Sequence, residues 1–266
     1  MKKLIFFDID GTLITDGPGE HLIPGSLPRT LNALQENGHL CFINTGRALA
    51  EIDSVIRSLP FNGYVCGCGT YIAYRGKTLY SYTIPFPTGN EILNSLKECH
   101  LEWLLEGTNH VYYSSIPYQT RIQEFKLEHK QTIPEAFRLI EPHQEKDLEF
   151  DKFCICLGEN HQFDKFYNQY KGILSFIDRK HCFYEVVPKG HSKASGIAFL
   201  ENYFGIPNDD TISIGDSTND LPMLEYTGYS IAMGNSSSEL FEVADYITGP
   251  VMEDGVYHAM KHLKLI

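Results

Sequence analysis

Short apolar runs alternate with helix-like patterns in the first sixty residues of the chain. The runs LIFFDI (residues 4–9) and LCFIN (residues 40–44) predict buried strands. Between them, leucines at helical spacing predict a helix over residues 27–37, and a second helix is predicted over residues 48–59. Strands and helices that alternate in this way are typical of a parallel sheet with helices on both faces.

The same alternation returns in the last third of the chain. The predicted elements are a helix over 192–204, the strand TISIG over 211–215, a helix over 219–226, the strand YSIAM over 229–233, a short helix over 237–243, the strand DYIT over 245–248 and a helix over 255–263. The two ends together predict an α/β fold with a doubly wound, parallel-sheet, Rossmann-like core.

The middle of the chain has a different pattern. Residues 68–84 predict a β-hairpin that turns at Gly76, and the prolines and glycine of residues 85–89 predict a linker. Beyond it, predicted helices (91–99 and 161–170) mix with the strands VYYSS, FCICL and CFYEVV. We therefore predict a catalytic core domain split in sequence, residues 1–81 and 187–266, with an inserted α+β cap domain over residues 82–186.

Charge and composition argue against several classes of partner and location. The 266 residues hold 22 basic and 34 acidic side chains, a net charge of −12, which argues against nucleic acid as a partner. No apolar run approaches the ~20 residues that cross a bilayer, so we expect no membrane association. The first run is broken by Asp8 and Asp10, unlike a signal peptide, so a cytoplasmic location is expected.

Two cysteine pairs allow two interpretations. Cys66 with Cys68 and Cys154 with Cys156 could supply four thiolates to a zinc ion, or they could be small core residues. The one-residue spacing differs from that of zinc knuckles, and free cysteines are often buried. The core interpretation is therefore preferred.

Polar residues follow the predicted core strands at the sheet edge where open α/β folds bind ligands. They are Asp8, Asp10 and Gly11, then Thr45, Gly46 and Arg47, and later Asp216, Asn219 and Asp220, with Lys193 opening a helix. Two carboxylates 4 Å apart repel by ~4 kcal/mol at an effective dielectric constant of 20, so four of them require a cation. Carboxylates without histidine or cysteine select a hard ion, which predicts Mg²⁺.

Four segments of the chain also resemble a known family. DIDGT (residues 8–12), NTGR (residues 44–47), Lys193 in KGHSKASGI and GDSTND (residues 215–220) resemble, in order, the motifs of haloacid dehalogenase-like phosphatases. The tail MGNSSSELFEVADYIT followed by EDGV resembles the Cof-type branch, whose cap lies between the second and third motifs. The resemblance implies a Mg²⁺-dependent phosphomonoesterase for a small phosphorylated metabolite, with sugar phosphates as the first substrate class.

The chemistry of such a reaction assigns roles to the acidic residues. Asp8 is expected to attack phosphorus and form an aspartyl phosphate. Asp10 would protonate the leaving group and then deprotonate the attacking water. Asp8, Asp216 and the backbone carbonyl of Asp10 would hold the metal.

The remaining motif residues would bind the phosphate or support the site. Lys193, Thr45, Gly46 and Asn219 are expected to contact phosphate oxygens. Asp220 would orient Lys193, and Gly11 would allow a sharp turn beside the phosphate. Two flanking residues have two interpretations each: Arg47 is either a substrate contact or half of a surface ion pair, and Asn235 either caps a helix or closes the site. Cys68-Gly69 stands where the family often has Asn-Gly.

Other functions stay possible on the sequence alone. A phosphosugar mutase would return the phosphoryl group to a sugar hydroxyl, and a binding protein would have lost turnover. The substrate could also be a phosphorylated cofactor such as pyridoxal phosphate or flavin mononucleotide. Side chains of the cap would set substrate choice, and the candidates are Tyr112, Tyr113, Tyr118, Arg121, His181 and Tyr184. Aromatic residues at alternating strand positions are, however, more often part of a core.

Overall fold

The computed structural model describes residues 2–15, 21–141 and 148–266. The strands are β1 (Leu4–Phe7), β2 (Leu40–Asn44), β3 (Gly63–Cys66), β4 (Tyr71–Tyr74), β5 (Lys77–Ser81), β6 (Leu101–Glu106), β7 (Val111–Ser114), β8 (Phe137–Ile140), β9 (Lys152–Leu157), β10 (Leu174–Asp178), β11 (Phe183–Pro188), β12 (Thr211–Gly215), β13 (Tyr229–Ala232) and β14 (Tyr246–Ile247). The helices are α1 (Leu27–Glu36), α2 (Ser54–Arg57), α3 (Phe86–Glu98), α4 (Ile122–Thr132), α5 (Phe163–Tyr170), α6 (Lys193–Phe204), α7 (Leu221–Tyr226), α8 (Ser238–Phe241) and α9 (Gly255–His262).

The chain divides by its internal contacts into two compact units. The first unit comprises Met1–Gly46, Arg57–Tyr80 and Ser192–Ile266, and the second comprises Arg47–Ile56 and Ser81–His191. The domain boundaries expected from the sequence, at residues 82 and 186, stay a prediction. One grouping was not anticipated, because the segment that follows Gly46 belongs with the second unit.

The first unit is built on an eight-stranded sheet in the order β14-β13-β12-β1-β2-β3-β4-β5. The strands from β14 to β3 are parallel, and β4 runs antiparallel to β3. Strand β1 lies between β12 and β2, with Leu4 opposite both Leu40 and Thr211. This arrangement confirms the predicted doubly wound α/β core.

Both faces of this sheet are buried. Phe6 of β1 packs with Ile197 and Leu200 of α6 in one apolar cluster. Its neighbours Ile5 and Phe7 point to the other face, because side chains alternate along a strand, and they are fully buried as well. A strand that is apolar on both sides gives the uninterrupted hydrophobic run seen in the sequence.

Close packing places the start of α6 against the sheet. A Cβ atom at Gly196 would lie 2.3 Å from Cγ1 of Val65 in β3, so the helix backbone approaches the strand directly. Ser192 caps the helix: its hydroxyl oxygen accepts from the Ser195 amide at 3.1 Å. The first helical residue, Lys193, is therefore held beside the strand ends.

The second unit is built on a six-stranded sheet in the order β10-β11-β9-β6-β7-β8. Its pairs are antiparallel except for β7 with β8. Phe153 and Ile155 of β9 pack on one face with residues of α3 and α5. Cys154 and Cys156 point to the opposite face and pack with residues of α4.

Three of the side chains proposed as substrate contacts are better described by their packing. Tyr113 is fully buried, and its hydroxyl lies 2.8 Å from Nδ1 of His129. Tyr118 is also buried, and Tyr184 stacks on Phe163. These contacts are those of core aromatic residues.

A buried ion-pair group crosses three strands of the second unit. Nζ of Lys152 lies 2.7 Å from Oε1 of Glu106 and 2.9 Å from Oε1 of Glu185. All three side chains are buried. Burial, followed by the charge of Glu51, raises the pKa of Glu106 well above its usual value. The pKa of Lys152 also rises, because the two carboxylates outweigh the opposing effect of burial.

Two predicted elements were wrong in detail. Residues 48–59 form a 3-10 turn (Leu49–Glu51) and the short helix α2 instead of one helix, although the apolar spacing was helical. Residues 85–89 are not a linker, since α3 begins at Phe86. Pro87 is compatible with this start because the first helical turn needs no amide donor there.

The structure describes all seven cysteines, and six of them are buried free thiols. Within the described parts of the chain, none belongs to a cluster of three or more metal-binding side chains. Among the same residues, no helix has the length and apolar character that crossing a membrane requires.

Candidate active site

The carboxyl ends of β1, β2 and β12 carry the motif residues. Strand order changes direction at β1, because β2 and β3 extend the sheet to one side and β12 to β14 extend it to the other. In open α/β sheets such a switch point is where ligands bind. Asp8 follows β1, Thr45 follows β2 and Asp216 follows β12, so the fold brings three separate segments to one edge.

Asp8 is held at the centre of this edge. Its amide donates to the carbonyl of Ile214 at 3.0 Å, which extends the β1–β12 pairing by one residue. Its side chain is buried, and Oδ1 lies 2.7 Å from Nζ of Lys193. Burial and the charges of Asp220 and Asp10 raise the pKa of Asp8 to about 7, against the opposing charge of Lys193.

Lys193 and Asp220 form a fully buried ion pair next to Asp8. The ammonium group donates to Oδ1 of Asp220. Oδ2 of Asp220 accepts from the amides of Asp216 and Ser217, both at 3.0 Å. Burial alone would lower the pKa of Lys193, but the carboxylates of Asp220 and Asp8 raise it above its usual value. Lys193 is therefore a fixed positive charge.

Three carboxylates gather closely enough to hold a cation. One oxygen from each of Asp8, Asp216 and Asp220 lies within 4.8 Å of the others. The sequence suggested Asp8, Asp216 and the backbone carbonyl of Asp10 as the metal ligands, so two of these carboxylates were expected and Asp220 is an additional member of the group. Both oxygens of Asp220 already accept hydrogen bonds from protein donors. The donor set consists of hard oxygen ligands, which suits a divalent cation such as Mg²⁺.

Gly11 makes room for the carboxylate of Asp216. Its φ of +74° lies in the left-handed region, and a Cβ atom there would be 2.1 Å from Oδ2 of Asp216. The hydroxyl of Thr12 is 3.4 Å from Oδ1 of Asp216. Asn235 holds the turn from the other side, since Nδ2 donates to the carbonyl of Gly11 at 2.8 Å. Asn235 therefore supports the site, while Ser237 is the residue that precedes α8.

The expected phosphate-binding residues lie at the same edge. Thr45 is buried, and its carbonyl accepts from the amide of Cys68 at 3.1 Å. Asn219 is buried as well, and its Oδ1 accepts from the hydroxyl of Ser217 at 2.5 Å. Gly46 is the last residue of its segment in the first unit. The roles of these residues remain a prediction.

Cys68 occupies a backbone conformation that asparagine and glycine prefer. Its φ and ψ are 52° and 44°, and the side chain is buried. The Asn-Gly pair that the family often has at this place would adopt this turn with less strain. Cysteine at position 68 therefore makes the backbone of this turn less favourable than asparagine would, but the turn still forms.

Arg47 and Asn44 complete the second motif. Nη1 of Arg47 lies 3.9 Å from Oδ2 of Asp53 within the second unit, a contact of the kind expected for an ion pair near the surface. Asn44 is fully buried, and Nδ2 donates to the backbone carbonyl of Lys193 at 3.0 Å. The sequence assigned Asn44 no role of its own. The only available signal was a polar amide at the end of an apolar strand.

Comparisons with known proteins agree with this geometry. The family model of haloacid dehalogenase-like hydrolases matches residues 5–260. The protein YkrA of Bacillus subtilis is 30% identical over 100% of this chain and 99% of its own length. The 5-amino-6-(5-phospho-D-ribitylamino)uracil phosphatase YcsE of the same species is 26% identical over 98% of this chain and 95% of its own.

A solved structure supports the same assignment. The sugar phosphatase BT4131, described as a member of subclass IIB, superimposes with a TM-score of 0.82 at 26% identity. The superposition covers 99% of this chain and 100% of that one. The chain therefore belongs to the haloacid dehalogenase-like hydrolases, which confirms the family resemblance of its four motifs and its assignment as an enzyme of the phosphatase class.

Proposed function

We propose that the protein is a Mg²⁺-dependent phosphomonoesterase that transfers the phosphoryl group of a small metabolite first to Asp8 and then to water. The observation that carries this proposal is the buried contact between Asp8 and Lys193 beside Asp216 and Asp220. A carboxylate nucleophile at the end of a central strand, paired with a fixed cation, suits attack on an anionic phosphate.

The two acidic residues of the first motif have different roles: Asp8 attacks phosphorus, and Asp10 transfers protons. A carboxylate oxygen of Asp8 forms a bond to phosphorus as the bond to the leaving oxygen breaks. Asp10 gives its proton to that leaving oxygen, and then removes a proton from the water that attacks the aspartyl phosphate. The product is inorganic phosphate, and Asp8 is regenerated.

Positive charge and hydrogen-bond donors would hold the phosphate during both steps. Lys193 is positioned to neutralise charge on the transferring group, and Thr45 with the backbone near Gly46 and Asn219 would donate to its oxygens. Asp220 orients Lys193 through their ion pair. Lys193 is buried, so its charge acts with little screening by water.

The acidic group fits a Mg²⁺ ion. Asp8, Asp216 and the backbone carbonyl of Asp10 would hold it, and Gly11 leaves the space that the Asp216 carboxylate occupies. When bound, the ion would supply the positive charge that relieves repulsion between the carboxylates and the incoming phosphate. Asp220 would support these ligands, because its own oxygens are already used by backbone amides and Lys193.

We propose sugar phosphates as the substrate class. The similarity to a protein described as a sugar phosphatase supports this choice. The similarity to a phosphatase of a phosphorylated ribitylamino-uracil keeps phosphorylated cofactors, such as flavin mononucleotide or pyridoxal phosphate, as the alternative. We also expect a cytoplasmic location, where such metabolites occur.

A panel of phosphorylated metabolites tests the proposal. Phosphate release should require Mg²⁺, stop with EDTA and return when Mg²⁺ is restored. Asp8→Asn should abolish release, whereas Asp209→Asn, a change at an exposed carboxylate, should leave it unchanged. Release by Asp8→Asn at the wild-type rate would overturn the proposal. Incubation with hexose monophosphates would reveal a mutase as conversion to an isomer without free phosphate.

A further inference from the structure

Asn44 carries a buried polar group that the reaction outlined above does not use. It is the last residue of β2, it stands directly before Thr45, and its side chain is fully buried. Its Oδ1 has no hydrogen-bond partner among the described residues. A buried acceptor without a partner is unfavourable to folding, so stability alone does not account for an asparagine at this position.

The other end of the amide makes a specific contact. Nδ2 donates at 3.0 Å to the backbone carbonyl of Lys193, a residue 149 positions later in the chain. Lys193 is the first residue of α6, and its ammonium group lies 2.7 Å from Asp8. The residue is therefore held at both ends, by Asn44 at the main chain and by carboxylates at the side chain.

The serine hydrogen bonds and the glycine contact at the start of α6 do not connect it to β2. Ser192 and Ser195 close the first turn of the helix on itself, and Gly196 sets the helix close to Val65 of β3. Asn44 ties the Lys193 backbone to β2, the strand that pairs directly with β1. Because Asp8 follows β1, this hydrogen bond links the position of Lys193 to the position of the nucleophile.

We propose that Asn44 is a positioning residue, whose amide fixes the start of α6 so that the ammonium group of Lys193 stays in reach of Asp8. The inference rests on the proposed role of Lys193 in phosphoryl transfer. A displacement of about 1 Å at a catalytic group can lower a rate a hundredfold, so the loss of this one hydrogen bond should be measurable.

A double-mutant cycle tests the proposal. We would measure kcat and KM with p-nitrophenyl phosphate for the wild type, Asn44→Ala, Lys193→Met and the double variant. Asn44→Ala should lower kcat at least about tenfold when Lys193 is present. It should cause no further loss on the residual turnover of Lys193→Met, because the group that Asn44 positions is then gone.

Two further measurements separate positioning from a structural role. The unfolding free energy of Asn44→Ala should fall by no more than about 1.5 kcal/mol, the usual net contribution of one hydrogen bond, because the variant also removes the unpartnered Oδ1. Asn202→Ala is the matched control, since Asn202 also donates to a backbone carbonyl of α6, at 2.9 Å on the exposed side. That variant should keep the wild-type kcat.

Each outcome decides a different claim. If Lys193→Met retains full turnover, the proposed function is overturned. If Lys193→Met loses turnover but Asn44→Ala does not, only the inference about Asn44 is overturned. Equal losses from Asn44→Ala in both backgrounds would also overturn it, since Asn44 would then act independently of Lys193. Should Asn44→Ala not fold, Asn44→Ser replaces it in the cycle, and failure of both variants to fold would show a structural role instead.

Discussion

At the scale of single residues, the site combines several carboxylates that repel one another with one buried lysine, whose ammonium group is held in place by ion pairs. Asp8 contacts Lys193, and Lys193 is also paired with Asp220, so the only buried ammonium group described in the first unit is shared between two carboxylates. The sequence predicted that Asp220 would orient Lys193, but it did not predict the contact between Lys193 and Asp8. It could not predict the contribution of Asn44, since a hydrogen bond to a distant backbone carbonyl leaves no pattern along the chain.

Gly11 gives a residue-scale prediction with a close control. Gly11→Ala should lower phosphate release at least about a hundredfold and weaken Mg²⁺ binding, because the new Cβ would lie 2.1 Å from Oδ2 of Asp216. Gly76 has nearly the same φ, +75° against +74°, but a Cβ atom there would meet no atom within 4 Å. Steady-state kinetics and Mg²⁺ titration of both variants provide the measurement.

The Gly76→Ala control separates the effect of the steric clash with Asp216 from the effect of backbone strain. Gly76→Ala should be destabilised by only about 1 kcal/mol, the usual cost of a left-handed non-glycine residue, with unchanged kinetics. If the two variants lose activity equally, contact with Asp216 is not what requires a glycine at position 11.

Asp151 gives a prediction on the pH dependence of stability. Burial raises the pKa of this carboxyl from 3.8 to about 6, although hydroxyl groups of Thr108 and Thr83 donate to it at 2.9 and 3.3 Å. The folded protein therefore binds the proton more tightly than the unfolded chain. The contribution of Asp151 to stability is complete below pH 4 and is lost as the pH rises through about 6.

The variant Asp151→Asn lacks this titration. Relative to the wild type, its unfolding free energy should increase by roughly 2 kcal/mol between pH 4 and pH 7. Urea unfolding at several pH values measures the difference. A difference that stays constant over this range would show that the folded and unfolded states bind this proton equally well.

At the scale of helices and strands, the hydrophobic pattern predicted an element correctly where burial alone determines it. The pattern failed where capping or tertiary packing also contributes. LCFIN was predicted as a strand over the residues that β2 occupies, because a short apolar run is typical of a strand that is buried on both faces. The prolines of residues 85–89 suggested a linker, yet α3 begins there, since a proline in the first turn interrupts no hydrogen bond. Apolar residues within 48–59 had helical spacing, but the packing of Arg47–Ile56 in the second unit divides the segment.

The ion-pair group of the second unit gives a prediction about strands β6, β9 and β11. Lys152→Met should destabilise the protein by about 3 kcal/mol, because it leaves Glu106 buried without its cation and leaves Glu185 with only the Arg179 guanidinium, 3.4 Å away. Lys165→Met is the control, since Nζ of Lys165 lies 3.9 Å from Glu98 and both side chains are more than half exposed. That surface pair should contribute less than about 1 kcal/mol.

Chemical denaturation of the two variants measures both values. A loss for Lys152→Met no larger than that for Lys165→Met would mean that the buried group contributes no more than a surface ion pair.

At the scale of the whole molecule, the sequence predicts the fold class and the family but not the substrate. The α/β class, the doubly wound core and the family follow from strand–helix alternation and from motifs that stand at strand ends. Substrate choice does not follow, because it depends on side chains whose arrangement is set by tertiary packing. Tyr113 illustrates the difficulty, since an aromatic residue that could contact a substrate is instead fully buried.

The central claim is that Asp8 carries the phosphoryl group during turnover. The most direct measurement is mass spectrometry of the enzyme quenched in acid during turnover of a sugar phosphate with Mg²⁺. The account predicts that the peptide containing Asp8 gains the mass of one phosphoryl group, and that the adduct is absent from Asp8→Asn. Rapid phosphate release with no phosphorylated peptide, or full turnover by Asp8→Asn, would contradict it.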